Sequence, residues 1–359
     1  MEIFPKDTNI SSRKKVKFGI DPTSPNLHLG HFIPLRLVKK MKEEGRSVTI
    51  VLGTLTAQLG DPSGRDVTRP ILSEEKVLSN AEKIKDQVKK ILGEETNFCF
   101  NHSLHQKTNL IDFLVQTASK FTLTHMISRN AFANRIAKNQ PISMHELIVP
   151  MLQGMDSVYL ESEIEIGGQD QLFNFQIARE LQEHFGQTPQ ACIMMPVING
   201  TDGRKMSKSF ENCIFLNENP NDIFGKVMSI SDDVMKEWFP LLTDIEFSDK
   251  MHPMDAKKEL AFSIIEQIKN KEEAKKALTF FENTIQDKNL PEEISTITAS
   301  KLLEGIQQLR NCSKTEARRL IKGSAVKLDG LTVKKDDNIE LFNGQLLQVG
   351  KRNFAKIIT

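Results

Sequence analysis

The chain has 359 residues, with 48 Lys and Arg against 47 Asp and Glu, 39% hydrophobic and 26% charged residues. This is an ordinary soluble composition with material for two or three domains. No apolar run approaches the length of a membrane span, and residues 1–7 lack an apolar signal core. The four cysteines, Cys99, Cys192, Cys213 and Cys312, are scattered without C-x-x-C spacing. That spacing argues against a zinc site or a disulfide framework and for a reducing, cytoplasmic setting.

Lys15 to Asp21 reads as a strand, ended by the turn signal Asp21-Pro22. From His31 the residues Phe32, Ile33, Leu35, Leu37, Val38 and Met41 recur at helical spacing, with Lys39, Lys40, Lys42 and Glu43 on the wetted face and Gly45 as a stop. Ser47 to Gly53 reads as the next, mostly buried strand, so the chain opens with a βαβ unit. His28-Leu29-Gly30-His31 then lies where strand gives way to helix. Open N–H groups and the helix dipole would favour an anion there, and Gly30 would let a large group approach the backbone. On its own this motif is equally a turn with two surface histidines.

Ser73 can cap a helix whose Val77, Ala81, Ile84, Val88 and Ile91 form an apolar stripe for core packing. Further on, Thr201-Asp202-Gly203-Arg204 signals a turn before the Ser-rich Lys205-Met206-Ser207-Lys208-Ser209. Two ammonium groups three residues apart suit a polyphosphate leaving group, whose charge grows as its bond to the α-phosphate breaks. A solvated basic turn is the plain alternative, and the joint presence of the two motifs weakens it. Asn221 to about Lys288 favours helix, carrying Leu260, Ile264, Ile265, Ile268 and Leu278, and Pro291 marks a linker. Residues 301–359 hold twelve Lys and Arg against six Asp and Glu, a net of +6 in a chain of +1. A basic tail on an acidic body suggests a polyanionic partner. Within it, Thr315 to Gly323 reads as a basic-faced helix, and Val326 to Gly330 and Gln345 to Arg352 read as strands.

Taken together, the two motifs resemble the HIGH and KMSKS signatures of class I aminoacyl-tRNA synthetases. Within that class the chain resembles the bacterial tyrosyl-tRNA synthetase family over nearly its whole length. Gly19-Ile20-Asp21-Pro22-Thr23, Gly60-Asp61-Pro62-Ser63-Gly64 followed by Arg65 and Arg69, Pro141 to Glu146, Gln153 to Ser157 and Gly167-Gly168-Gln169-Asp170-Gln171 carry this likeness. The resemblance implies an α/β fold: a Rossmann-like catalytic domain with a parallel sheet over 1–215, a helical anticodon-side domain over 216–292, and a small α+β S-four-like RNA-binding domain over 298–359. It implies ATP as substrate, Mg2+ with it, tRNA as partner and a homodimer. His28, His31 and Thr23 would meet the phosphates, and Lys205 and Lys208 the departing pyrophosphate. Gly30, Met206 and Ser207 complete the ATP site, while Gly168 and Asp170 take the ribose hydroxyls.

For the amino acid, the resemblance implies Asp61 and Gln153 near the ammonium, Asp156 at the phenolic hydroxyl and Gln171 near the carboxylate. A buried acceptor at Asp156 would discriminate against phenylalanine, which leaves it unpaired. Val149-Pro150-Met151-Leu152-Gln153 departs from the family's Tyr-Pro-x-x-Gln, Lys17 stands where many members carry a pocket tyrosine, and Met155 replaces a common aromatic. Losing one neutral hydrogen bond costs about 0.5–1.5 kcal/mol, which weakens binding without abolishing it. Three readings stay open on sequence: a tyrosine–tRNA ligase, a paralogue activating another amino acid for a biosynthetic pathway, and a noncatalytic RNA-binding protein.

Overall fold

The computed structural model describes residues 1–61, 72–128, 130–283, 294–333, 339–350 and 353–358. Pro62, Ser63, Gly64, Arg65 and Arg69 of the Gly-Asp-Pro-Ser-Gly motif, and Pro291, Lys351 and Arg352, lie outside the described residues. Two units emerge, Met1–Glu218 with Ile230–Met251, and Asn219–Ser229 with His252–Thr359. The first unit takes in Ile230–Met251, part of the 216–292 stretch that the sequence assigns to a helical domain.

The first unit is built on a six-stranded sheet of order β1-β6-β5-β2-β3-β4. The strands are β1 (Glu2–Phe4), β2 (Lys15–Ile20), β3 (Ser47–Leu52), β4 (Asn97–Phe100), β5 (Ile164–Gly168) and β6 (Ala191–Met195). β2 to β6 pair in parallel, and β1 lies antiparallel on β6. Helices cover both faces, so β3 reads as an apolar run, with Val48, Ile50, Val51 and Leu52 all buried. After β2 the chain builds β3 on one side and later β5 on the other. The strand order therefore reverses between β2 and β5, and the carboxyl ends of these strands open a crevice suited to a ligand.

Helix α1 (Leu29–Glu43) joins β2 to β3, buries Leu29, Phe32, Ile33, Leu35, Val38 and Met41, and ends at Gly45 with φ 83°. It begins two residues before the expected His31, because His28 and His31 cap it reciprocally. Helix α2 (Glu74–Leu92) has Ser73 accepting from the Lys76 N–H and buries the Val77, Ala81, Ile84, Val88 and Ile91 stripe as the spacing predicts. The short α3 (Asn101–His105), α4 (Met144–Tyr159) and α5 (Leu172–His184) follow. Helix α6 (Pro220–Met228) belongs to the second unit and α7 (Asp232–Leu242) to the first.

In the second unit α6 packs with α8 (Pro253–Ile268) and α9 (Lys271–Phe281), burying Phe224, Leu260, Ile264 and Ala277. The tail holds α10 (Leu302–Arg310) and α11 (Lys314–Lys322) with a five-stranded sheet of order β7-β11-β10-β8-β9. Those strands are β7 (Ser295–Thr298), β8 (Val326–Leu328), β9 (Leu331–Thr332), β10 (Leu346–Val349) and β11 (Asn353–Ile358). Leu302, Ile306, Ile321, Val326, Leu347 and Ile357 form its core. Lys314, Arg318, Arg319 and Lys322 stand exposed on α11, the basic helix read from sequence.

Ser73→Ala removes the acceptor at the start of α2. It should destabilise the first unit by about 1 kcal/mol in denaturant unfolding, and Ser73→Asp should not.

Candidate active site

A cleft of about 290 Å³ opens at the carboxyl ends of β2 and β5. Of the residues singled out in sequence, Lys17, Thr23, Gly30, His31, Asp61, Gln153, Asp156, Gly168, Asp170 and Gln171 line it. His28, Lys205, Met206, Ser207 and Lys208 stand off the lining. So does Val149, which faces the packed interior of α4 with no exposed surface. Val149 is thus packed as an apolar core side chain.

The phosphate end differs from a simple open helix terminus. Leu29 N–H donates to Ile214 O at 3.1 Å, and His31 and Phe32 N–H donate to His28 O. Gly30 N–H donates to His28 Nδ1 at 3.1 Å, and His28 N–H donates to His31 Nδ1 at 3.2 Å. The first amides of α1 are thus occupied, so the backbone anion site expected from the sequence is not open. A backbone N–H can only donate, so both Nδ1 atoms are unprotonated and both rings carry their proton on Nε2. Withdrawal from water, with Lys208 nearby, lowers the His28 pKa to about 3. Burial first, then His28 and Lys208, hold His31 well below its ordinary value. Gly30 serves its neighbour: a Cβ there would lie 2.9 Å from His28 Cε1.

The lysine loop hangs from a narrow hairpin. Asn199 bridges Lys205, Gly200 N–H donates to Arg204 O at 2.7 Å and Met206 N–H to Ile198 O at 3.0 Å. Buried Asn212 ties it together, accepting from Ser207 N–H at 2.8 Å and donating to Asp202 Oδ1 at 2.7 Å. Asn212, then Arg204, hold the Asp202 carboxyl down at about 2. Met206 is buried and Lys205 exposed. Lys208 Nζ donates to Ser24 Oγ, on the loop that leaves β2. Leu216 N–H donates to Leu27 O at 2.9 Å, so the chain leaving the loop pairs with the chain entering α1.

At the other end Asp156, buried, meets His105 Nε2 at 2.8 Å through Oδ1 and Asn101 Nδ2 at 3.3 Å through Oδ2. Lys17 and Glu165, adjacent in the β2–β5 register, form a fully buried ion pair of 2.9 Å. Lys17 Nζ also donates to Ser157 Oγ at 2.6 Å and Gln153 O at 3.1 Å. Asn174 Nδ2 donates to Oε1 of Gln153 at 2.9 Å and of Gln171 at 2.8 Å, and Gln171 Nε2 donates to Asp61 Oδ2 at 2.9 Å. Asn101, His105, Glu165 and Asn174 lie outside every motif read from sequence, and Ser157 has no role assigned from its segment. Polar residues inside β5 and α5 were the available signal for Glu165 and Asn174. At Gly168 a Cβ would lie 2.6 Å from Asp170 Oδ1, so glycine lets that carboxylate fold over the end of β5.

The family of tRNA synthetases class I (W and Y) matches residues 9–320. The tyrosine–tRNA ligase of Aquifex aeolicus is 41% identical over 360 residues, 96% of this chain and 91% of the relative. That of Thermotoga maritima is 38% identical over 361 residues, 96% and 90%. Among solved structures, a C-terminally truncated mitochondrial tyrosyl-tRNA synthetase of Aspergillus nidulans superposes with TM-score 0.62 at 21% identity, covering 74% of this chain and 84% of that one. The Archaeoglobus fulgidus tyrosyl-tRNA synthetase complexed with L-tyrosine gives 0.58 at 19%, covering 74% and 90%.

The two neutral imidazoles set a pH dependence. Their folded pKa values lie below the unfolded value of 6.5, so their contribution is complete above pH 6.5 and is lost as pH falls, for His28 toward about 3. His28→Asn keeps a capping oxygen without the titration. Between pH 6.5 and 5.5 the unsubstituted chain should lose about 1 kcal/mol more unfolding free energy than this variant.

Proposed function

The chain belongs to the tyrosine–tRNA ligase family of class I tRNA synthetases, and we infer from that membership and its cleft that it activates tyrosine with ATP and passes the tyrosyl group to tRNA. One observation carries the reading: a single cleft has buried Asp156 at one end and His31, Gly168 and Asp170 at the other. In the first step a tyrosine carboxylate oxygen attacks the α-phosphorus of ATP and pyrophosphate leaves. In the second, a ribose hydroxyl of the tRNA 3′ end attacks the adenylate carbonyl and AMP leaves. Neither step needs a protein nucleophile, so positioning and charge stabilisation are the work.

In this proposal His28 and His31 donate Nε2–H to phosphate oxygens, with Thr23 and Gly30 beside them. Lys205 and Lys208 neutralise the departing pyrophosphate, with Met206 and Ser207 shaping their loop. Gly168 and Asp170 take the ribose. Asp61 and Gln153 hold the substrate ammonium, Gln171 lies near its carboxylate, and Asp156 accepts from the phenolic hydroxyl. Lys17 is spent on Glu165 and acts by fixing the pocket floor. Magnesium arrives on ATP as part of the substrate. Among the described residues no group of three or more His, Cys, Asp or Glu is placed to hold a metal ion.

We assign the tail to an S-four-like RNA-binding domain following a helical anticodon-side domain, on the strength of its basic α11. A homodimer suits the apolar side chains Leu110, Ile111, Val115, Leu123 and Met144, each more than 60% exposed. No helix of the described residues is long and apolar enough to cross a membrane. Four free cysteines suit a reducing cytoplasm.

Tyrosine should support ATP–pyrophosphate exchange better than any other common amino acid, and a better non-phenolic substrate would overturn the assignment. Asp156→Ala should lower kcat/KM for tyrosine about 10- to 100-fold, from a lost hydrogen bond to a charged acceptor, with little change for phenylalanine. The triple change Arg318→Glu, Arg319→Glu, Lys322→Glu should cut tRNA charging while leaving pyrophosphate exchange intact. Equal loss of both would refute a tail-specific RNA role.

A further inference from the structure

One residue at the stem of the lysine loop is held at three points by a single helix. Asn199 N–H donates to Glu237 Oε1 at 2.9 Å, and Asn199 Nδ2 donates to Glu237 Oε2 at 2.7 Å. The Asn199 carbonyl accepts from Trp238 Nε1 at 2.9 Å, and the Trp238 side chain is wholly buried. Asn199 is also the bridge partner of Lys205. Both clamping residues lie on α7, and α7 is fixed in turn to α1. Arg36 Nη1 donates to Leu241 O at 2.8 Å, and Arg36 pairs with Asp244 at 2.8 Å. One helix thus grips the helix that His28 caps and the hairpin that presents Lys205.

We propose that Glu237 is a positioning residue for adenylate formation: with Trp238 it locks Asn199, and so sets where Lys205 and Lys208 stand relative to the His28–His31 pair. It touches neither substrate nor reacting atoms. Its carboxylate takes two donors from one residue, which fixes the hairpin stem both in rotation and in translation, where a single bond would leave it free to pivot. The proposal rests on the adenylate-forming reading of the cleft.

The donor–acceptor sense of the clamp supplies the test, made on the full chain. Asn199→Asp sets two carboxylates against each other. Tyrosine-dependent pyrophosphate exchange should then fall at least tenfold in kcat, with KM for tyrosine within twofold, because the tyrosine end does not touch the clamp. Adding Glu237→Gln to that variant recreates the pair in reversed sense, the new amide donating to the new carboxylate, and should recover most of the lost kcat. Trp238 is the chain's one tryptophan, so its emission should shift in Asn199→Asp and return in the double variant. Undiminished kcat in Asn199→Asp, a parallel rise in KM for tyrosine, or no rescue in the double variant would each overturn the clamp. An unsubstituted chain that exchanges no pyrophosphate with tyrosine would overturn the adenylate reading and the clamp with it.

Discussion

Two backbone hydrogen bonds hold the site together. Leu29 N–H to Ile214 O and Leu216 N–H to Leu27 O zip the segment entering α1 to the segment leaving the lysine loop. They join the imidazole pair to the lysine loop directly, main chain to main chain. A backbone donor buried at such a junction must find a partner, and here each motif supplies the other's. Burial does most to lower the pKa values of His28 and His31, and the pairing brings Lys208 close enough to add to it.

That proximity divides the labour at the phosphate end. A charged imidazole beside an ammonium would be repelled and poorly hydrated, so both rings stay neutral. Neutral rings still present Nε2–H donors whose direction is fixed by the capping bonds on Nδ1. Positive charge is left to the lysines, Lys205 exposed and Lys208 half-buried. Neutral donors and cations therefore sit on opposite sides of the junction, and in the proposed reaction each suits a different stage of adenylyl transfer.

Much of this was legible in sequence where the signal is local. The βαβ opening, the Ser73-capped helix and the basic α11 follow from periodicity and capping, which act within a few residues. Ten of the sixteen residues singled out line one cleft, because strand-end motifs fall naturally at a strand-order reversal. What sequence missed is non-local. Lys17 is singled out as a pocket position, but nothing in Val-Lys-Phe or Ile-Glu-Ile says that it meets Glu165. Only the parallel pairing of β2 with β5 places them side by side, where both faces are covered and each becomes the other's counter-ion. His28 as a cap rather than a turn residue, and Val149 as core rather than pocket, likewise depend on what packs opposite.

The buried polar wall on the amino-acid side has its polarity set without any ligand. Asn174 Nδ2 can only donate, and it takes Oε1 of both Gln153 and Gln171. Each glutamine must then turn Nε2 the other way, Gln153 toward Glu165 at 3.4 Å and Gln171 toward Asp61 at 2.9 Å. Glu165 is itself fixed by Lys17 and Ser157. Reversing one amide would set donor against donor along the chain of bonds, so the orientations hold collectively. Lys17 and Glu165 cancel in charge, so the ordered amides give this wall its direction. Bound as proposed, a zwitterion with a phenolic tail would meet a wall whose donors and acceptors are already arranged along its length.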